Sequence, residues 1–149
     1  MHRTIRRTAA LLALAALPAL SACSEGSGEV AKIQPAKVVK IEGTDIQRVE
    51  LTEKAAQRLG IETTSVKEAT GQQAGHTVVP SAAVIYDADG LASVYTNPAP
   101  LSFVRKPVTV STIEGDSVYL TDGPPPGTAV VTVGTAELFG TETGIGEFE

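Results

Sequence analysis

A single cysteine, Cys23, limits how this chain can fold. One thiol can form neither an internal disulfide nor a thiolate metal cluster. Tryptophan is absent and only 4% of residues are aromatic, so a core must come from Val, Ile, Leu and Ala. Branched aliphatic side chains suit a pleated surface, and a small β-rich domain is the expectation. The position of the thiol carries a second message. Residues 1–7 hold Arg3, Arg6 and Arg7 and no acid, and residues 8–20 are mostly Ala and Leu, interrupted by Pro18. Leu20, Ser21 and Ala22 then lead into Cys23. A basic start, a short apolar middle and small residues before a cut are the layout of an export signal. A membrane-spanning helix needs about 20 apolar residues, and this run is shorter and contains a proline. A buried core helix would not open on three arginines.

Leu20-Ser21-Ala22-Cys23 resembles the lipobox of bacterial lipoproteins. The resemblance implies cleavage before Cys23, a thioether from its sulfur to diacylglycerol, and acylation of the new N-terminus. A single acyl chain binds membrane weakly, and two or more make a stable anchor. The expected location is the extracytoplasmic face of the cell membrane, held by lipid. Removing residues 1–22 takes three arginines and no acid, moving the net charge from −5 to −8. An acidic chain is a poor partner for nucleic acid, which recruits Lys and Arg. The expected organisation is a signal at 1–22, a lipidated flexible tether at 23–35 that includes SEGSGE, a β-domain at 36–140, and a loosely ordered tail at 141–149.

Within the domain the spacing predicts a small antiparallel β-barrel or sandwich with one short helix. Strands are expected at 36–41 and 45–51. A helix follows, capped by Thr52, with Glu53 near its positive end, Ala55, Ala56 and Leu59 as its apolar stripe, and Gly60 as its stop. Residues 61–67 read as one strand and 69–75 as a loop. Residues 77–86 read as one strand that Pro80 confines to an edge or a strand start. Asp87-Ala88-Asp89-Gly90 reads as a hairpin turn returning into 91–96. Residues 101–113 read as one alternating strand with Val104, Val108 and Val110 on one face. Strands at 117–120 and 128–133 flank a stiff turn at 122–127, and Ala136 to Phe139 reads as one helical turn.

The second half also carries a resemblance. Val79-Pro80-Ser81-Ala82-Ala83-Val84, Asp89-Gly90, Val94-Tyr95 and Phe103-Val104-Arg105-Lys106-Pro107-Val108 come in an order similar to that of periplasmic adaptor subunits, or membrane fusion proteins, of efflux pumps. The likeness continues through Gly115-Asp116, Val118, Leu120, Asp122-Gly123, Pro126-Gly127, Val130-Val131 and Gly134. It is to their C-terminal membrane-proximal β-domain and the barrel strand leading into it. Residues 49–64 resemble an early segment of the heavy-metal type. In that family a lipoyl-like domain and a long helical hairpin separate the two segments, whereas here only 70–76 does. No sustained heptad is present to build such a hairpin. What the resemblance implies is a truncated, non-enzymatic adaptor that keeps the part lying against an inner-membrane transporter.

The chemistry-bearing residues support contact over catalysis. His76 is the only histidine outside the signal; a metal site takes three or four ligands, so it reads as a solvated loop residue. The same lone histidine argues against a Ser-His-Asp machine. Asp87-Ala88-Asp89-Gly90 begins like a calcium loop, but Leu91 and Pro98 occupy positions where that loop needs oxygen ligands. Glu50, Glu53 and Glu62 read as a solvated acidic face, and Pro124, Pro125 and Pro126 as a rigid turn. No cofactor is expected. Edges near Pro80 and Pro107 are open to two readings, pairing with a partner strand or blunted against it. The expected contact surface joins Phe103, Val104 and Arg105 to Pro124, Pro125 and Pro126, although in a chain so short of aromatics Phe103 reads somewhat better as core. The expected partner is an inner-membrane transporter or another envelope protein. The competing readings are a stand-alone lipoprotein that binds a small ligand or ion, and a structural module of the envelope.

Overall fold

The computed structural model describes residues 34–43 and 46–144. Among them lie eleven strands: β1 Ala36–Lys40, β2 Gln47–Leu51, β3 Glu62–Ser65, β4 Lys67–Glu68, β5 Thr77–Pro80, β6 Val84–Tyr86, β7 Ala92–Ala99, β8 Ser102–Pro107, β9 Thr109–Glu114, β10 Ser117–Asp122 and β11 Ala129–Val133. Two helices accompany them, α1 Glu53–Leu59 and α2 Thr135–Thr143. The fold is mainly β, in two antiparallel sheets that do not close into a barrel. The first sheet runs β1-β2-β8-β7-β11-β3, with β6 also paired to β7, and the second runs β4-β5-β10-β9.

Two apolar clusters show how the layers stack. Val66, Val79, Ala83, Val94, Val108, Val118, Leu120 and Val130 form the first, drawn from both sheets. Val49, Leu51, Ala55, Tyr95, Phe103, Val131 and Leu138 form the second, drawn from the first sheet and both helices. Successive strand residues point to opposite faces. Val94 and Tyr95 on β7, like Val130 and Val131 on β11, therefore divide between the two clusters. The first sheet is thus covered on both faces at its centre, and Ser93 to Thr96 of β7 are buried without a break.

Three segments expected as single strands are each two. Residues 61–67 divide into β3 and β4, 77–86 into β5 and β6, and 101–113 into β8 and β9, the halves always in different sheets. The divisions fall at Val66, at the 3-10 turn Ser81–Ala83, and at Val108. Val66, Ala83 and Val108 are all buried in the first cluster. A strand that passes from one sheet to the other keeps its apolar pattern, because the crossing residue is itself core. Pro80 and Pro107 end the first halves of two of them, since proline cannot donate to a ladder. The Val108 N–H instead donates to the Ala92 carbonyl at 3.0 Å, and that of Val66 to Thr128 at 2.9 Å. Val104, Val108 and Val110 therefore do not share one strand face. β5 lies between β4 and β10, but β4 pairs only with Thr77 and Val78, so Pro80 stands at the end of β5 with a ladder partner, Ser117, on the β10 side alone.

The helices differ in how well local chemistry announces them. In α1 the Thr52 hydroxyl accepts from the Ala55 N–H at 3.2 Å, and Gly60 ends the helix at φ 62°. α2 corrects the expectation of a single turn followed by a loose tail, for it runs to Thr143. Residues 70–76 close the β4–β5 hairpin, with the Ala69 N–H donating to His76. The Asp87 carboxylate accepts from the N–H groups of Asp89 and Leu91 at 3.0 and 2.8 Å, fixing the β6–β7 turn.

Candidate functional site

The residues expected to make one contact surface are divided by the sheet they belong to. Phe103 and Val104 are 3% and 6% exposed, so both are interior and neither can meet a partner. This corrects the expectation, and its cause is the placement of β8 between β2 and β7. Phe103 and Arg105 share the face that α2 covers, while Val104 and Lys106 take the opposite one. Pro124 is buried, whereas Pro125 and Pro126 are exposed. Pro124 and Pro125 line a groove of about 530 Å³ with Thr96, Pro98, Lys106 and Pro107. Arg105 is not among its lining residues.

Arg105 belongs to a polar network under α2 that sequence reading missed. Its Nε donates to both carboxylate oxygens of Glu142, at 3.1 and 3.0 Å. The Tyr95 hydroxyl donates to the same carboxylate. Tyr95 opposes Arg105 in the β7–β8 register. The Glu142 side chain is 7% exposed and that of Arg105 is 32% exposed. The guanidinium also lies over the Phe139 ring, 5.5 Å from its centroid, a cation–π geometry. Burial pushes the Tyr95 phenol well above its ordinary range, helped by its hydrogen bond to Glu142 and by that carboxylate's charge, while Arg105 opposes the shift. A buried charge is tolerable only when paired and hydrogen-bonded. Here both oxygens are taken by donors, so Glu142 holds α2 to the sheet and is not presented as a base. The one signal in the sequence was the spacing of Leu138 and Glu142, which puts them on one face of a helix.

Other candidates remain apart. Glu50 pairs with Arg48 at 3.0 Å, Glu53 accepts from Gln57, and Glu62 lies on β3, at the far side of the sheet from β1 and β2. His76 donates its backbone N–H to Gln73 at 3.1 Å. Among the described residues no group of three or more His, Cys, Asp or Glu is placed to hold a metal ion. A larger open groove of about 1160 Å³ runs between β1 and α2, bordered by Ala36, Lys37, Val38, Ala136 and Gly140.

Two exposed large apolar residues that flank one turn are a pair the sequence reading did not select. Tyr86 and Leu91, 53% and 65% exposed, bracket the turn that Asp87 fixes between β6 and β7. A pair on either side of a polar turn is visible in sequence once the hairpin register is known. β9 is bonded on one side only, and its ladder with β10 carries two register shifts. Such irregularity twists an edge away from further pairing, so this edge is blunted.

The lipobox residues Leu20, Ser21 and Ala22 and the lipidation site Cys23 lie outside the described residues, as does the end of the tail, 145–149. Among the described residues no helix is long and apolar enough to cross a membrane. No protein family, curated protein or solved structure matches the chain.

Proposed function

We propose that this chain is a non-enzymatic lipoprotein, anchored through Cys23 on the extracytoplasmic face of a cell membrane. Its β-domain, a sandwich of two facing sheets, works by contact with a transporter of that membrane, in the manner of an efflux adaptor reduced to its membrane-proximal part. The observation that carries the anchoring is the run from three arginines through an Ala- and Leu-rich stretch to Leu20-Ser21-Ala22-Cys23. The contact surface is placed on what the fold leaves exposed: the Tyr86–Leu91 hairpin tip and the Pro125–Pro126 turn. Tyrosine is enriched at interface hot spots, and a turn pinned by its own carboxylate loses little entropy on docking.

The test has two parts. Cys23→Ala should move the protein from the membrane fraction to an uncut or soluble form; a cleaved, membrane-bound variant would sink the anchoring. A photo-crosslinking residue at Leu91 or Pro125 should then form an adduct with a polytopic transporter, whereas the same probe at Glu53 should not. Adducts that are equally abundant at all three positions would remove the adaptor reading. The groove of about 530 Å³ lies in the size range of small-molecule sites. It favours, as the second reading, a lipoprotein that binds a small ligand alone. That reading predicts unchanged activity in the host when Tyr86 and Leu91 are both replaced by Ser.

A further inference from the structure

α2 is badly equipped to be a helix on its own. It has nine residues, and isolated helices shorter than about 12 residues are marginal in water. Gly140 sits in its interior, and Thr135, Thr141 and Thr143 are weak helix formers. Gly134, at its N-terminal boundary, supplies no side-chain cap. Glu142 lies in the last turn, at the negative end of the helix dipole, where a carboxylate is disfavoured. α2 is therefore held by what it touches: Leu138, which is wholly buried, and the carboxylate shared by Tyr95 and Arg105. A buried ion pair recovers little more than the solvation it gives up, so it fixes register more than it adds stability.

The strands need α2 far less. β7 is laddered to β6, β8 and β11, and the first cluster contains no residue of α2. The helix follows directly on Gly134, whose φ is 90° and whose added Cβ would lie 2.2 Å from Ile61 Cδ1. Only glycine suits that position, and it is also the freest backbone point at which the segment could swing. Arg105 is partly exposed, so water reaches one partner of the network when the contact loosens.

We propose that α2 is a detachable strap over the first sheet, and that Tyr95, Arg105 and Glu142 form its latch. The strap leaves as a unit while both sheets stay folded. Its release uncovers the apolar residues Tyr95, Phe103 and Val131 and widens the groove along β1, where Ala36 and Val38 alternate with Lys37. Partial openings of this kind lie below the global unfolding free energy. The inference concerns the fold alone and does not depend on the lipoprotein reading.

Residue-resolved hydrogen exchange on the purified chain tests it. Amides of α2 from Leu138 onward should exchange at least about tenfold faster than the ladder amides of β7 and β11, because they report the smaller opening. Glu142→Gln keeps the size and an acceptor for Tyr95 but removes the charge facing Arg105. It should quicken α2 exchange by a further factor of about 10 while β7 and β11 keep their rates. Arg105→Lys, which keeps the charge and loses the planar contact with Phe139, should show the same division more weakly. The proposal is overturned if α2 exchanges in step with β7 and β11, or if either variant quickens all three elements alike. A Glu142→Gln chain that fails to fold also overturns it, since the sheets would then depend on the latch.

Discussion

The two apolar clusters differ in what closes them. The first holds eight buried residues, all Val, Ala or Leu, and lies between two sheets that exchange strands at Val66, Ala83 and Val108. The second mixes Tyr95 and Phe103 with Leu138 and is closed on its outer side by two short helices. In the first cluster the covalent chain threads the interface, so neither sheet can leave without breaking the other. In the second, one wall is a nine-residue helix held by a leucine and a shared carboxylate. Equal burial therefore does not mean equal permanence: Leu120 and Leu138 are 1% and 0% exposed, yet they sit in walls of different kinds.

The sharpest way to break this comparison is to truncate both leucines. Leu120→Ala should cost about 3 kcal/mol in urea unfolding followed by far-ultraviolet dichroism, as large-to-small changes in closed cores do. Leu138→Ala should lower the global midpoint less, because the helix detaches before the sheets unfold; equal losses would mean the two walls are equally permanent. Next in size is Gly134→Ala. Its Cβ would collide with Ile61 Cδ1, and its positive φ is strained for any other residue, so about 2 kcal/mol should be lost. Gly90→Ala, also at positive φ but with open space around the Cβ, should cost only about 1 kcal/mol.

A third test uses alkali. Tyr95 keeps its proton in the folded chain far above 10.0, its unperturbed value. Its contribution is therefore intact below pH 10 and is lost as the unfolded chain begins to ionise. Stability should fall above that pH, with a Tyr95 slope of up to about 1.4 kcal/mol per pH unit. Tyr95→Phe should remove this part of the slope in denaturant titrations at pH 10 to 11.5; an identical slope in the variant would mean that the phenol ionises freely. The smallest effect is expected at the β4–β5 connection. Doubling its length with Gly and Ser after Gln73 should cost about 0.6 kcal/mol, because the contact of the Gln73 side chain to Glu114 is exposed and long, at 3.4 Å. A loss of several kcal/mol in the same assay would show the connection to be packed structure.

Local chemistry was legible where it acts within a few residues. Thr52 and Gly60 marked α1, and Asp87 to Gly90 marked the β6–β7 hairpin, because a cap or a turn is decided by its own side chains. Sheet membership was not legible. A valine at a crossing looks like any strand valine, so residues 61–67, 77–86 and 101–113 each read as one strand. The contact surface failed for the same reason: whether Phe103 is core depends on β2 and β7 flanking β8, which no window around Phe103 contains. Glu142 was hidden behind Gly140, a residue that usually ends helices, while its partners Tyr95 and Arg105 lie far upstream.

The position of β1 has a mechanical side. Among the described residues β1 is an outer strand laddered only to β2, through five register pairs from Ala36–Leu51 to Lys40–Gln47. Any pull carried through the preceding residues meets the Pro35 carbonyl, which accepts from the Thr52 N–H at 2.9 Å, and then the Ala36 end of that ladder. Drawn away from the sheet, the pairs open in sequence; drawn along the strand, they share the load. Of β1, only Ala36 packs against a core cluster, and only partly. Were the chain anchored through Cys23 as proposed, that load would reach β1 first, and opening its ladder would lengthen the tether while the sheet crossings at Val66 and Val108 keep the body folded.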